Sequence, residues 1–236
     1  MKTLFVTSSG TGVGKTFVMR ALIGGLLNEG RRVEALKPVI SGFDSVAPSV
    51  SDTGALLEAL REPVSPERVE RVSPWRFAAP LSPDMAASRE GRSIDFERLV
   101  GYCRQRIAGD ADVVLIEGIG GVMVPLDERH TVLDWIAALE MPVLLVVGSY
   151  LGTLSHTLTA ASALRARRVA LRVVVSESEE SPAPLGETVS TLARHLPQTE
   201  IYALPRSGPG RPVSPADLEP LVRACWPVRG AQNLKT

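Results

Sequence analysis

Lysine is scarce in this chain, and its interior lysines stand beside residues that could do chemistry. Only four of the 26 Lys+Arg residues are lysine; Lys2 and Lys235 lie near the ends, which leaves Lys15 and Lys37. Lys15 sits in Ser8-Ser9-Gly10-Thr11-Gly12-Val13-Gly14-Lys15-Thr16, between an apolar run and a helical pattern. A strand, a glycine-rich turn and a helix opening with Lys-Thr make an anion cradle. Backbone N–H groups converge, the helix dipole favours negative charge, the ammonium reaches outer phosphates, and the Thr16 hydroxyl can ligate Mg²⁺. The strict spacing asks for Gly at position 9, where this chain has Ser. The core Gly12 to Thr16 still carries the pattern. A compact ammonium with rotatable donors suits a crowded phosphate site better than a planar guanidinium.

Other segments carry chemistry of the same kind. Lys37-Pro38-Val39-Ile40-Ser41-Gly42 closes a second apolar run. Glu117-Gly118-Ile119-Gly120-Gly121 follows Val113-Val114-Leu115-Ile116, so a carboxylate ends a buried strand where open α/β sheets bind ligands. Glu117 could hold Mg²⁺ directly or through water. Asp52 alone reads as a helix N-cap and becomes a metal candidate beside Thr16 and Glu117. Ser149 to Thr157 opens a helix with Gly and hydroxyl residues, which can bind a carboxylate. His156 reads as a structural hydrogen bonder, because no nucleophile stands beside it. His130 and His195 show no constellation, and no Gly-x-Ser-x-Gly elbow is present.

The elements that must position these residues alternate. Strands are expected at 4–7, 33–39, 113–117, 143–147, 169–175 and 201–204. Helices are expected at 16–29, 52–60, 95–107, 131–139, 153–165, 185–196 and 215–225. Residues 62–92 read as less regular and Pro-rich, with no element assigned. Gly24 and Gly25 weaken the first helix and imply close packing on the sheet. Alternation of this kind implies a mostly parallel sheet with helices on both faces, in one α/β domain over 1–230 with a frayed tail at 231–236. A hydrophobic share of 44% supports a core, while zero formal net charge gives no nucleic-acid or membrane surface. No apolar run approaches the roughly 18 residues that span a bilayer, and no charged-then-apolar segment precedes the first strand. Cys103 and Cys225 have no metal-ligand spacing and read as free thiols of a reducing compartment. Together these point to a cytoplasmic location.

Taken jointly, the segments resemble the dethiobiotin synthetase family. That family's loop is close to Gly-Thr-x-Thr-x-Val-Gly-Lys-Thr. Lys37 to Gly42 matches its Lys-Pro-Val-x-Ser/Thr-Gly, and Phe77-Ala78-Ala79-Pro80-Leu81-Ser82-Pro83 its Phe-x-x-Pro-x-(Ser/Ala)-Pro. Glu117 to Gly121 matches Glu-Gly-Ala-Gly-Gly, and Leu151-Gly152-Thr153-Leu154-Ser155-His156-Thr157 resembles Leu-Gly-x-x-Asn-His-(Thr/Ala). Ser8 stands in place of the loop's first Gly, which would cost about 1 kcal/mol were φ positive there. Ser155 replaces an Asn, and Ser176-Glu177 an Asn-Asp-like pair that reads the base, so nucleoside triphosphates other than ATP come into view.

The resemblance implies a three-layer P-loop NTPase fold and an ATP- and Mg²⁺-dependent ligase of biotin synthesis. It would close the ureido ring of 7,8-diaminopelargonic acid with CO₂ or bicarbonate, through a carbamate and a carbamic–phosphoric anhydride. It implies catalytic roles for Lys15, Lys37 and Thr11, and Mg²⁺ ligation by Thr16, Asp52 and Glu117. ATP contacts would come from Gly12, Val13, Gly14, Lys15, Thr16, Phe17, Asp52, Glu117, Gly118, Ile119, Gly120, Ser176, Pro205, Arg206 and Ser207. Substrate contacts would come from Thr11, Ser41 and Gly120, and, across a homodimer interface, from Leu151, Gly152, Thr153 and Ser155. The principal rival is a partition-type ATPase switch of the same superfamily, which carries a lysine where Gly10 stands. A cobyrinate-type amide synthetase would need a glutaminase domain that this length does not hold. A guanine-reading Asn-Lys-x-Asp is absent, since Asn28 and Asn233 are not followed by Lys.

Overall fold

The alternation folds into layers. The computed structural model describes residues 2–206 and 215–226. Within these, β1 (Thr3–Ser8), β2 (Val33–Leu36), β5 (Val113–Glu117), β6 (Val143–Val147), β7 (Leu171–Ser176) and β8 (Glu200–Leu204) form one parallel sheet in the order β2-β5-β1-β6-β7-β8. All five residues of β5 and of β6 are buried, which is why both read as continuous apolar runs rather than alternating ones. Their side chains feed two cores. Phe5, Val114 and Ile116 pack on one face with α5 (Phe96–Ile107) and α6 (Val132–Leu139), where Phe5 meets Trp135 edge-on at 4.9 Å. Leu4, Val6 and Leu115 pack on the other with α1 (Lys15–Asn28), α2 (Asp52–Ala59) and α9 (Pro215–Cys225).

β1 lies between β5 and β6, and the chain turns to opposite sides of it for its later strands. The crevice at the carboxyl ends of these strands is therefore the topological switch point where ligands bind in open α/β sheets. Register then does the positioning. Leu36 pairs with Ile116, and Val6 with Glu117, so Lys37, Glu117 and the end of β1 emerge side by side.

Three expectations need correction. The strand expected at 33–39 stops at Leu36, and the chain steps into β3 (Val39–Ser41), which pairs in parallel with β4 (Trp75–Phe77) as a separate small sheet. The stretch 62–92 is ordered into α3 (Pro66–Val72), β4 and α4 (Pro83–Arg89). Pro66 and Pro83 sit in the first helical turn, where the missing N–H has no intrahelical partner to lose. Gly25 serves close packing against Val222 of α9, not the sheet; a Cβ there would come within 3.3 Å of it, while one at Gly24 would meet nothing. The remaining helices, α7 (Thr153–Ala166) and α8 (Leu185–His195), fall where expected. The tail at 231–236, and residues 227–230 of the expected domain, lie outside the described residues. No helix among the described residues is long and apolar enough to cross a membrane.

Candidate active site

The glycine loop leaves β1 and enters α1 through Gly14, whose φ of 95° is left-handed. An L side chain would pay about 1–2 kcal/mol there, and its Cβ would fall 3.1 Å from the Ser176 hydroxyl. Ser8, by contrast, ends β1 and is absent from the positive-φ positions, so the strain that its replacement of Gly could bring does not arise. Its hydroxyl accepts a hydrogen bond from Lys15 Nζ at 3.0 Å and lies 2.5 Å from the Gly10 carbonyl and 2.8 Å from that of Gly120.

Glu117, at the end of β5, is wholly buried. Its Oε1 accepts from Lys37 Nζ at 2.6 Å and from the Thr16 hydroxyl at 2.9 Å, while its Oε2 is buried with no partner. Lys37 also donates to the Gly118 carbonyl at 3.2 Å and pairs with Asp52 Oδ2 at 3.2 Å. Asp52 does not cap α2; Ser51 does, accepting from the Gly54 N–H, which leaves the Asp52 carboxylate free to face Lys37. Burial alone would push the Lys37 ammonium down, but the Glu117 and Asp52 carboxylates outweigh it and hold it above its ordinary value. Burial, reinforced by the Lys37 charge, lowers Lys15 to about 8 against the partial relief of Glu117 and Asp52.

These groups border a cavity of about 390 Å³ that Thr11, Phe17, Ser41, Ile119 and Gly120 also line. The hydroxyls of Thr11 and Ser41 have no hydrogen-bond partner among the described residues. The unpartnered Glu117 Oε2, the Thr16 hydroxyl and the Asp52 carboxylate are hard oxygen donors of the kind Mg²⁺ takes. No group of three or more His, Cys, Asp or Glu able to cage a metal occurs among the described residues. A metal here would therefore complete its shell with phosphate oxygens and water, as Mg²⁺ does at nucleotide sites.

Two further cavities adjoin the same loop. One, of about 420 Å³, is lined by Gly12, Val13, Phe17, Ser176, Glu177 and Arg206 among others. The Arg206 N–H donates to Glu177 at 2.9 Å and its guanidinium to Glu179 at 3.0 Å. Pro205 adjoins this pocket without lining it, and Ser207 lies outside the described residues. The other, of about 460 Å³, runs from Ser9–Val13 to Tyr150, His156 and Ser178. Leu151, Gly152, Thr153 and Ser155 line none of the three. Leu151 is 86% exposed, and the Thr153 hydroxyl donates to the Gly148 carbonyl at 2.7 Å. His156 Nδ1 meets the Tyr150 hydroxyl at 2.9 Å, the structural bond expected of it. Gly118 lines none of the three either; a Cβ there would come 3.0 Å from Phe5. Sequence reasoning overlooked the Ser8 hydroxyl, for which the departure from Gly was the signal, and the Ser149–Ser178 pair. In that pair each side chain accepts from the other's N–H, at 3.0 and 2.9 Å, joining the loops after β6 and β7.

A left-handed glycine turn before Lys-Thr, at the switch point of a parallel sheet, defines the chain as a P-loop NTPase. Solved structures agree at the level of fold. The septum site-determining protein MinD from Pyrococcus horikoshii, complexed with Mg-ADP, matches with a TM-score of 0.51 and 16% identity, over 86% of this chain and 81% of that one. The signal recognition particle receptor FtsY from Elizabethkingia anophelis matches with a TM-score of 0.52 and 17% identity, over 92% and 61%. The model of the AAA domain family matches residues 2–208. Curated relatives decide between the branches of this fold. ATP-dependent dethiobiotin synthetase from Acidiphilium cryptum is 49% identical over 84% of this chain and 90% of its own. The same enzyme from Methylobacterium nodulans is 48% identical over 93% and 100%, and that from Phenylobacterium zucineum 47% over 88% and 90%. The chain belongs to the dethiobiotin synthetase family, the ATP-dependent ligases of biotin biosynthesis.

Proposed function

We propose that this protein converts 7,8-diaminopelargonic acid, CO₂ and MgATP into dethiobiotin, ADP and phosphate. The observation that carries the reading is the convergence of two buried ammoniums, one hydroxyl and two carboxylates on a single cavity beside the free hydroxyls of Thr11 and Ser41. One amine of the diamine captures CO₂ as a carbamate and loses a proton. A carbamate oxygen attacks the γ-phosphorus, and ADP leaves. The second amine then attacks the carbonyl carbon of the carbamic–phosphoric anhydride, phosphate leaves, and the ring closes. Little covalent work falls to the protein in such a transfer, which depends on positioning and charge neutralisation.

Lys15 and Lys37 neutralise charge on the γ-phosphate and carbamate. Thr11 and Ser41 orient the carbamate or diamine. Thr16, Asp52 and Glu117 would hold Mg²⁺, which supplies further positive charge to the phosphates when bound. The pocket at Ser176, Glu177 and Arg206 takes the base. The exposure of Leu151 and Ser155 supports a homodimer in which Leu151, Gly152, Thr153 and Ser155 meet the substrate tail bound to the partner. The protein acts in the cytoplasm.

The test is a reaction of purified protein with MgATP, bicarbonate and diamine, followed by mass spectrometry and phosphate release. Dethiobiotin formed in step with phosphate, and none without diamine, supports the reading. Phosphate release indifferent to the diamine, with no dethiobiotin, refutes it in favour of an ATPase switch.

A further inference from the structure

Lys15 and Lys37 are held in different ways. Lys37 has three protein partners, two of them carboxylates. The Lys15 ammonium makes a single hydrogen bond among the described residues, to the hydroxyl of Ser8. Ser8 is wholly buried and Lys15 only 8% exposed, so the bond lies away from bulk solvent. A hydroxyl has one proton and two lone pairs. While a lone pair of Ser8 receives the ammonium proton, its own proton goes to the carbonyl of Gly10 or of Gly120. Those carbonyls belong to the glycine loop and to the loop after Glu117. The loops approach closely there, since a Cβ on Gly121 would come within 3.3 Å of the Ser9 carbonyl group.

We propose that Ser8 is a positioning residue for triphosphate binding and phosphoryl transfer. Its hydroxyl accepts a hydrogen bond from one of the three N–H groups of Lys15 and leaves two for anionic oxygens in the cavity, and it fastens the glycine loop to the Glu117 loop when its own proton is donated to Gly120. Glycine, the residue of the resembled loop at this position, has no group that could do either. The role assigned to Lys15 rests on the phosphate-binding reading above; the Ser8–Lys15 bond does not.

The experiment uses the full chain and two readouts. The first is the dissociation constant of a magnesium-bound ATP analogue with a non-hydrolysable β–γ bridge, by calorimetry. The second is kcat and KM for ATP in the dethiobiotin assay. Ser8→Ala should weaken the analogue about tenfold, the usual scale for losing a hydrogen bond to a charged group, and lower kcat/KM for ATP at least as much. Ser8→Thr, which keeps the hydroxyl, should stay within about threefold of the unmodified protein on the same scale. In a Lys15→Met background Ser8→Ala should weaken the analogue clearly less, the remainder being the loop fastening, because residues that act through one contact do not add. Should an alanine methyl disturb the loop, Ser8→Gly reads the same coupling without it. An unchanged affinity in Ser8→Ala, or an equal loss with and without Lys15, overturns the proposal; the second outcome would make Ser8 a fastening between loops alone. The binding arm needs no diamine. A protein that binds the analogue but forms no dethiobiotin would sink the function proposed above and leave the Ser8–Lys15 coupling measurable.

Discussion

Replacing Lys37 by methionine separates its structural part from its chemical one. The side chain is 3% exposed and its methylenes would be largely matched by Met, so the change removes charge rather than volume. What remains is the fully buried Glu117 carboxylate, with the Thr16 hydroxyl as its one remaining hydrogen-bond donor. Asp52 is 45% exposed and can turn to water, so the penalty falls on Glu117. Breaking a buried pair by removing one partner costs about 3–5 kcal/mol. The adjoining cavity of about 390 Å³ admits water to the abandoned carboxylate and sets the expectation at the lower end, about 3 kcal/mol. For a chain of this size that is roughly 6–12 °C in Tm. Lys37→Met/Glu117→Gln leaves no ionised carboxylate buried at the end of β5 and should regain most of the loss. It should not regain turnover, which falls at least about a hundredfold in both variants for want of a preorganised donor at the γ-phosphate. Urea titration gives the stabilities, and the dethiobiotin assay gives the rates. A Lys37→Met protein as stable as the unmodified one, or a double variant no more stable than the single, would refute the ion-pair reasoning whatever the activity.

Other expectations rest on separate observations. Lys15 has a folded-state value near 8, below its ordinary 10.5, so between these pH values the unfolded chain holds the proton that the folded chain has released, and this group's contribution to stability rises with pH. Triphosphate binding requires the ammonium and must take that proton up; at pH 9 about a tenth of the free protein carries it, and affinity should fall toward tenfold per pH unit. Calorimetry in buffers of different ionisation enthalpy would show the uptake, and a flat affinity from pH 7.5 to 9.5 would count against it. Cys103, buried in the core, has its thiol pushed up to about 12, so it should resist alkylation at pH 8 until the chain is unfolded in denaturant; rapid labelling of the native protein at Cys103 would contradict its burial. Gly14→Ala meets both a left-handed φ and the Ser176 hydroxyl, and should cost about 1–2 kcal/mol of stability together with most nucleotide affinity; a calorimetric titration matching that of the unmodified chain would be the wrong outcome.

The parts of this molecule legible in the sequence are those governed by short-range rules or by burial on both faces. β5 and β6 declare themselves because helices cover both sides of the sheet, so no position needs to be polar. Lys15 and Thr16 declare themselves because the loop that presents them is contiguous. Residues 62–92 failed for a local reason: Pro66 and Pro83 open helices instead of breaking them, and the strands β3 and β4 have three residues each, too few for a period to register. Asp52 taken alone reads as a cap or, beside Thr16 and Glu117, as a metal ligand; Ser51 fills the capping role one residue earlier, and that frees the carboxylate for the site. The contact between Lys37 and Glu117 spans 80 positions and no local rule contains it. It follows once β2 and β5 pair with Leu36 beside Ile116, because the next residue along each strand must then meet its counterpart. The site is thus a property of register: a slip of one residue between these strands would turn Glu117 from the crevice toward a helical layer. That dependence ties stability to function here, since the apolar side chains that fix the register also bring the lysine and the carboxylate within 2.6 Å of each other.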